Sequence, residues 1–162
     1  MITFHEGDLL KSDCHIICHQ VNEHGVMGGG LAKQIAEKYP KAEDDYANGC
    51  ITYRNKKELL GKVVFSFIDE DTPIIANCFS QYNQETQYEA LCACAYQVRD
   101  YAWKLWEKTG YRIRVGIPAK YGCGLAHGDW DKVLNIWKYF FELDGRTELQ
   151  IWEYDIWTGK PF

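Results

Sequence analysis

Residues Val21–Ala36, VNEHGVMGGGLAKQIA, decide how the chain folds. An apolar run at Ile16 and Ile17 leads into a short polar stop, Asn22–His24. Glycines 25, 28, 29 and 30 follow, and Leu31, Ile35 and Ala36 then recur at helical spacing. This is a strand, a glycine turn and a helix in direct succession. Glycine lets a ligand come within contact distance of the main chain. The free N–H groups of a helix start, together with the positive end of its dipole, favour an anion at such a turn. A tight turn with no ligand uses the same residues.

The rest of the chain repeats the alternation. Ile2–Phe4 predicts a first strand, ending at Glu6-Gly7-Asp8, and His15–Val21 a second whose apolar run implies burial on both faces. Gly29–Lys38 predicts the first helix, with Lys41–Asn48 as a short continuation. Val63–Ile68 and Pro73–Phe79 form a strand pair joined by the acidic turn Asp69–Asp71. Tyr88–Lys108 carries Leu91, Ala95, Val98, Ala102 and Leu105 at helical spacing and closes on Gly110. Arg112–Ile117 is a strand that runs into a second glycine turn, Gly122-Cys123-Gly124-Leu125. Gly128 or Asp129 caps a helix through about Phe141, and Glu148–Ile156 is the last strand. Strands alternating with helices give an α/β sheet covered on both faces. Two glycine turns at strand C-termini lie where open α/β sheets bind ligands, and two anion cradles on one edge suit a diphosphate.

Composition narrows the partners. With 162 residues and no linker, repeat or low-complexity stretch, residues 1–162 are expected to form a single domain. Eighteen basic against 23 acidic residues leave a net charge of −5, with no basic stripe for a nucleic-acid backbone. Seven irregularly spaced cysteines fit reduced thiols, and neither a signal-like start nor a membrane-length apolar run occurs. A cytoplasmic protein without membrane partners is expected.

Several familiar signatures fail. A P-loop needs Lys where Leu31 stands, and a dinucleotide fingerprint needs a small residue where Lys33 stands. Cys14-His15-Ile16-Ile17-Cys18-His19 invites a zinc site. Residues four apart on a strand lie roughly 13 Å from each other, too far to share one zinc, so no metal is expected. Cys123 at a helix start, with His127 nearby, has the elements of a thiolate nucleophile. Nothing supplies a third group to orient His127, and a small residue packed under a glycine turn accounts for Cys123 as well.

Taken in order, Gly7-Asp8-Leu9, Ile16-Ile17 with Asn22, Gly28-Gly29-Gly30-Leu31-Ala32, and Ile117-Pro118 before Gly122-Cys123-Gly124-Leu125 resemble a macrodomain across nearly all of the chain. The stretches Met27–Ala32 and Gly122–Leu125 look most like the branch of terminal ADP-ribose glycohydrolases and similar short bacterial and phage proteins. The resemblance implies a three-layer α/β/α fold around a mixed, mostly parallel sheet of about six strands. It implies ADP-ribose as ligand; ADP-ribose or ADP-ribosylated protein is the expected partner, with a monomer and no cofactor expected. Asp8, with Leu9, matches the acid that accepts from the adenine amino group, and Tyr154 the ring that stacks on adenine. Asn22 matches the residue at the distal ribose. Gly28, Gly29, Gly30 and Leu31 match the turn around that ribose and its phosphate, and Gly122, Cys123, Gly124, Leu125 and Ala126 the wrap of the diphosphate.

The same resemblance exposes a departure. Glycohydrolases of that branch carry a nucleophilic Lys at the end of the fourth strand and an assisting Asp after Gly-Cys-Gly-Leu. This chain has Asn77-Cys78-Phe79-Ser80-Gln81 and Ala126 there. A second route uses an ordered water that attacks the anomeric carbon, with Asn22 holding the ribose and His24 as base. A third removes the phosphate of ADP-ribose 1″-phosphate, with His24, His127 and Asp129 as titratable candidates. Asn22, His24 and His127 are the expected catalytic residues. Either the chain hydrolyses an ADP-ribosyl derivative or it only binds ADP-ribose.

Overall fold

The structure, a computed structural model, describes residues 1–154. Its elements follow the order β1 (Ile2–Glu6), β2 (Ile16–Val21), α1 (Gly30–Lys38), α2 (Pro40–Ile51), β3 (Val63–Ser66), β4 (Ile74–Phe79), β5 (Gln81–Tyr82), β6 (Glu85–Thr86), α3 (Tyr88–Thr109), β7 (Ile113–Pro118), α4 (Trp130–Phe141) and β8 (Thr147–Glu153). Six strands form one sheet in the order β1-β8-β7-β2-β4-β3. Only the β3–β4 pairing is antiparallel. β5 and β6 make a separate small hairpin. The order sets β2 beside β7 in the middle of the sheet, so the two glycine turns leave neighbouring strands on the same edge.

The period-two alternation of β2 divides the core. Ile16 and Cys18 pack with Leu91, Val98, Val133 and Trp137 of α3 and α4. Ile17 and Val21 pack with Ile35 of α1, Ala42 and Tyr46 of α2, and Tyr39 between the two helices. The result is a three-layer α/β/α sandwich whose central strand is buried on both sides. Each fully buried large aliphatic side chain contributes about 1.5–3 kcal/mol. Helix ends follow local chemistry. Gly110 adopts φ 77° to close α3, and Asp129 caps α4 by accepting from the Asp131 amide at 2.9 Å. No helix among the described residues is long and apolar enough to cross a membrane.

Several boundaries differ from expectation. β1 runs on to Glu6, because pairing with β8 continues as far as Glu153. The short helix expected over Lys41–Asn48 is a full α2, Pro40–Ile51. Ala42, Tyr46 and Cys50, spaced by four, are all buried, and this packing carries the helix through Asn48-Gly49. β3 stops at Ser66, its last partner on β4 being Ile75, so Phe67 and Ile68 fall in the connection. β8 begins at Thr147 and ends at Glu153, leaving Tyr154 one residue beyond the strand. Ile156, the expected end of that strand, and Trp157 lie outside the described residues.

Candidate functional site

Both glycine turns open onto one cleft of about 570 Å³ at the C-terminal edge of the sheet. The volume falls in the usual range for small-molecule sites, about 300–1,000 Å³. Asp8, Leu9, Asn22, Gly28 to Leu31, Gly122 to Ala126 and Tyr154 all line it. The ligand-binding set expected from sequence is therefore gathered in one place.

The first turn is open. A Cβ built on Gly28 or Gly29 meets nothing within 4 Å, and Gly29 has ordinary extended backbone at φ −155°. Nothing in the fold demands glycine at these two positions, and their exposed main chain lies along the cleft. The amides that begin α1 have no intrahelical acceptor and lie at the positive end of its dipole.

The second turn is held tightly. Gly122 sits at φ 70°, and a Cβ there falls 2.8 Å from Thr86 Oγ1 and 3.0 Å from Gln20 Oε1. The Thr86 hydroxyl donates to the Gly122 carbonyl at 2.6 Å, and the Gly128 amide donates to the same oxygen at 2.8 Å. Gln20 Nε2 donates to Thr86 Oγ1 at 3.0 Å, while Gln20 Oε1 accepts from Ser80 Oγ at 2.7 Å. A polar scaffold from β2, the end of β4 and the small hairpin thus fixes the loop. Leu125 of this loop, 86% exposed, and Val26 of the first loop, 62% exposed, both line the cleft as apolar residues.

At the β1–β8 end, Asp8 Oδ1 accepts from the Leu10 amide at 2.9 Å, a turn-capping bond that leaves its second oxygen for the cleft. Trp152 lines the cleft with its ring stacked on His5 at 4.7 Å. At the other end, Asn22 Oδ1 accepts from Tyr46 Oη at 2.5 Å and from the His24 amide at 2.9 Å. These bonds fix its amide plane.

The two expected catalytic histidines are not brought together with the cleft. His24 turns away from the cleft, its Nε2 2.9 Å from Glu23 Oε1, and lines a separate cavity with Lys56, Tyr82 and Asn83. His127 is exposed, with φ 57°, and its amide donates to the Gly124 carbonyl to close the loop. Neither ring belongs to the cleft lining. Asp129 is occupied as the cap of α4. Cys123 does line the cleft, but burial and the nearby Asp129 push its thiol up to about 11, and its Sγ donates to the Tyr121 carbonyl at 3.2 Å. A thiolate nucleophile does not fit this environment.

Some cleft residues escaped the sequence. Gln81 and Lys120 line it, as does His19, which is 1% exposed. His19 lies on β2 opposite Asn77 of β4, and only strand register brings that pair together.

Comparison with known proteins agrees with the architecture. No protein-family model matches the chain. An ADP-ribose 1″-phosphate phosphatase of Saccharomyces cerevisiae is 39% identical over 79 residues, covering 48% of this chain and 44% of that protein. The chain thus spans less than half the length of this curated relative. The phosphatase of the same name from Candida albicans is 28% identical over 143 residues, 81% of this chain and 88% of that protein. A DNA ADP-ribosyl glycohydrolase of Mycobacterium tuberculosis is 42% identical over 50 residues, 31% of this chain and 14% of that protein. Among solved structures, the macrodomain of Mycobacterium tuberculosis DarG matches with a TM-score of 0.79 at 25% identity, covering 94% of this chain and 97% of that one. Thermosipho africanus DarTG in complex with ADP-ribose matches at 0.71 and 21% identity, over 93% of this chain and 41% of that one.

A sheet of this order, enclosed by helices and carrying two glycine turns around one edge cleft, gives the chain a macrodomain fold, which it shares with the DarG macrodomain. Within it, the chain is similar both to ADP-ribose 1″-phosphate phosphatases and to DarG.

Proposed function

We propose that the chain acts as a single, monomeric macrodomain over residues 1–162 that binds ADP-ribose and hydrolyses an ADP-ribosyl derivative. The substrate is ADP-ribose 1″-phosphate or a protein-linked ester. The observation that carries this is the meeting of both glycine turns in one cleft, with Asp8 and Tyr154 at one end and Asn22 at the other. The span from β1 to β2 crosses three strand spacings of about 4.8 Å, which suits a diphosphate between two sugars. Asp8 accepts from the adenine amino group and Tyr154 stacks on its ring, a contact contributing on the order of 1–3 kcal/mol. Asn22 holds the distal ribose. Gly28 to Gly30 and Gly122 to Ala126 present main-chain amides to the phosphates without attracting every polyanion.

The route to turnover uses ordering. With no Lys at the strand end, and with His24 and His127 away from the cleft, the distal pocket and the ligand's own phosphate hold the attacking water. The relatives named as phosphatases favour the 1″-phosphate as leaving group, and the DarG relatives add ADP-ribosylated DNA to the substrates worth testing. Incubation with ADP-ribose 1″-phosphate, ester-linked ADP-ribosylated protein and ADP-ribosylated DNA, followed by product analysis, tests the proposal. Release from at least one is expected. Turnover of none, with ADP-ribose still bound, leaves a binding module.

A further inference from the structure

One buried group in the cleft has no part in the function proposed above. The Asn77 amide nitrogen donates to the Val64 carbonyl at 2.9 Å and to Ser66 Oγ at 3.2 Å. These bonds fix the amide so that Asn77 Oδ1 is the atom facing His19, 2.7 Å from its Nε2. Since Oδ1 only accepts, Nε2 carries the imidazole proton. Nδ1 of the neutral ring is therefore a bare lone pair, and it is buried with no hydrogen-bond partner in the protein. Burial lowers the pKa of the ring, which keeps it neutral. A buried acceptor left unpaired is costly, and this one belongs to a residue lining the cleft.

Its place in the sheet says what meets it. His19 has the same parity on β2 as Ile17 and Val21, which face α1 and α2. That is the side of the open Gly28–Gly30 turn. Asp8 and Tyr154 lie toward β1 and β8, two to three strands away. A phosphate has no proton to offer a lone pair at neutral pH, and adenine belongs to the far end. The complementary group is a sugar hydroxyl.

We propose that His19 is the hydrogen-bond acceptor for the distal sugar, receiving an O–H from the ribose beyond the diphosphate at Nδ1. This rests on the ADP-ribose reading of the cleft and adds a specificity residue to it. The Ser66–Asn77–His19 chain is then a positioning device that sets the tautomer from the neighbouring strands.

Titration calorimetry with ADP-ribose and with ADP, which lacks the distal sugar, tests it on the wild type, His19→Gln and His19→Asn. Glutamine keeps a donor toward Asn77 and loses the acceptor at the Nδ1 position, whereas asparagine keeps that acceptor. His19→Gln is expected to weaken ADP-ribose about tenfold and leave ADP unchanged, with His19→Asn within about threefold of wild type. Equal ADP-ribose affinity in His19→Gln and wild type overturns the proposal, and so does an equal loss for both ligands, which assigns Nδ1 to a bound water. Wild type that binds neither ligand overturns the ADP-ribose reading itself. Analogues deoxygenated in turn at the 1″, 2″ and 3″ positions of the distal ribose repeat the test without a substitution. Loss with one is expected, and full-strength binding of all three contradicts the role.

Discussion

The two glycine turns look alike in sequence and differ in what holds them. Gly28 and Gly29 have space around them, and Gly29 has extended backbone. Gly122 has a left-handed φ and is enclosed by Thr86 and Gln20. In the first turn, no packing demands glycine, and the main chain is exposed along the cleft. In the second, the fold itself demands it. Two similar runs of small residues thus separate into an open turn and a scaffolded one once their surroundings are known.

Substitutions separate these roles most sharply at the second turn. Gly122→Ala combines a strained φ with a Cβ pressed onto Thr86 Oγ1, and is expected to cost about 2–4 kcal/mol, read by urea denaturation. A loss under 0.5 kcal/mol would show that this loop is no scaffold. Gly29→Ala is expected to leave stability within about 0.5 kcal/mol and to weaken ADP-ribose at least tenfold, about 1.4 kcal/mol. Unchanged affinity would return the first turn to a plain connection.

Smaller effects sharpen the contrast. Thr86→Val removes the hydroxyl that joins the Gly122 carbonyl to Gln20, and an expected cost of about 1–2 kcal/mol should appear as a lower denaturation midpoint. The pH dependence has a defined sign. Burial lowers the pKa of His19 and of His15 in the folded state. Above the usual histidine value of about 6.5 both states are neutral. As pH falls below it, the unfolded chain takes up protons first, so stability declines until the folded pKa is reached. Denaturation at pH 7.5 and 5 should show this decline, reduced in His19→Gln. An identical decline in both proteins would remove His19 from the effect.

Much of the fold was legible because its signals are local. Apolar alternation, Gly110 beyond α3 and Asp129 before α4 each announce an element from neighbouring residues. The small hairpin was not, because two-residue strands carry no periodicity, although Asn83 and Gln84 at positive φ are the turn that Asn favours. Asp8, Asn22 and the glycines of both turns line the one cleft that their order along the chain suggests. His24 is close to Asn22 in sequence but its ring lies outside the cleft lining, where Glu23 holds it. His19 was hidden for the opposite reason. Its partner lies 58 positions away, and only the β2–β4 register joins them.

Calorimetric titration of the wild-type protein with ADP-ribose, beside AMP and NAD, tests most directly whether the cleft grips a diphosphate between two sugars. Tight single-site binding of ADP-ribose with much weaker AMP binding is expected, because AMP lacks the second phosphate and the distal ribose. Equal affinity for AMP and ADP-ribose, or no binding of ADP-ribose, would contradict it.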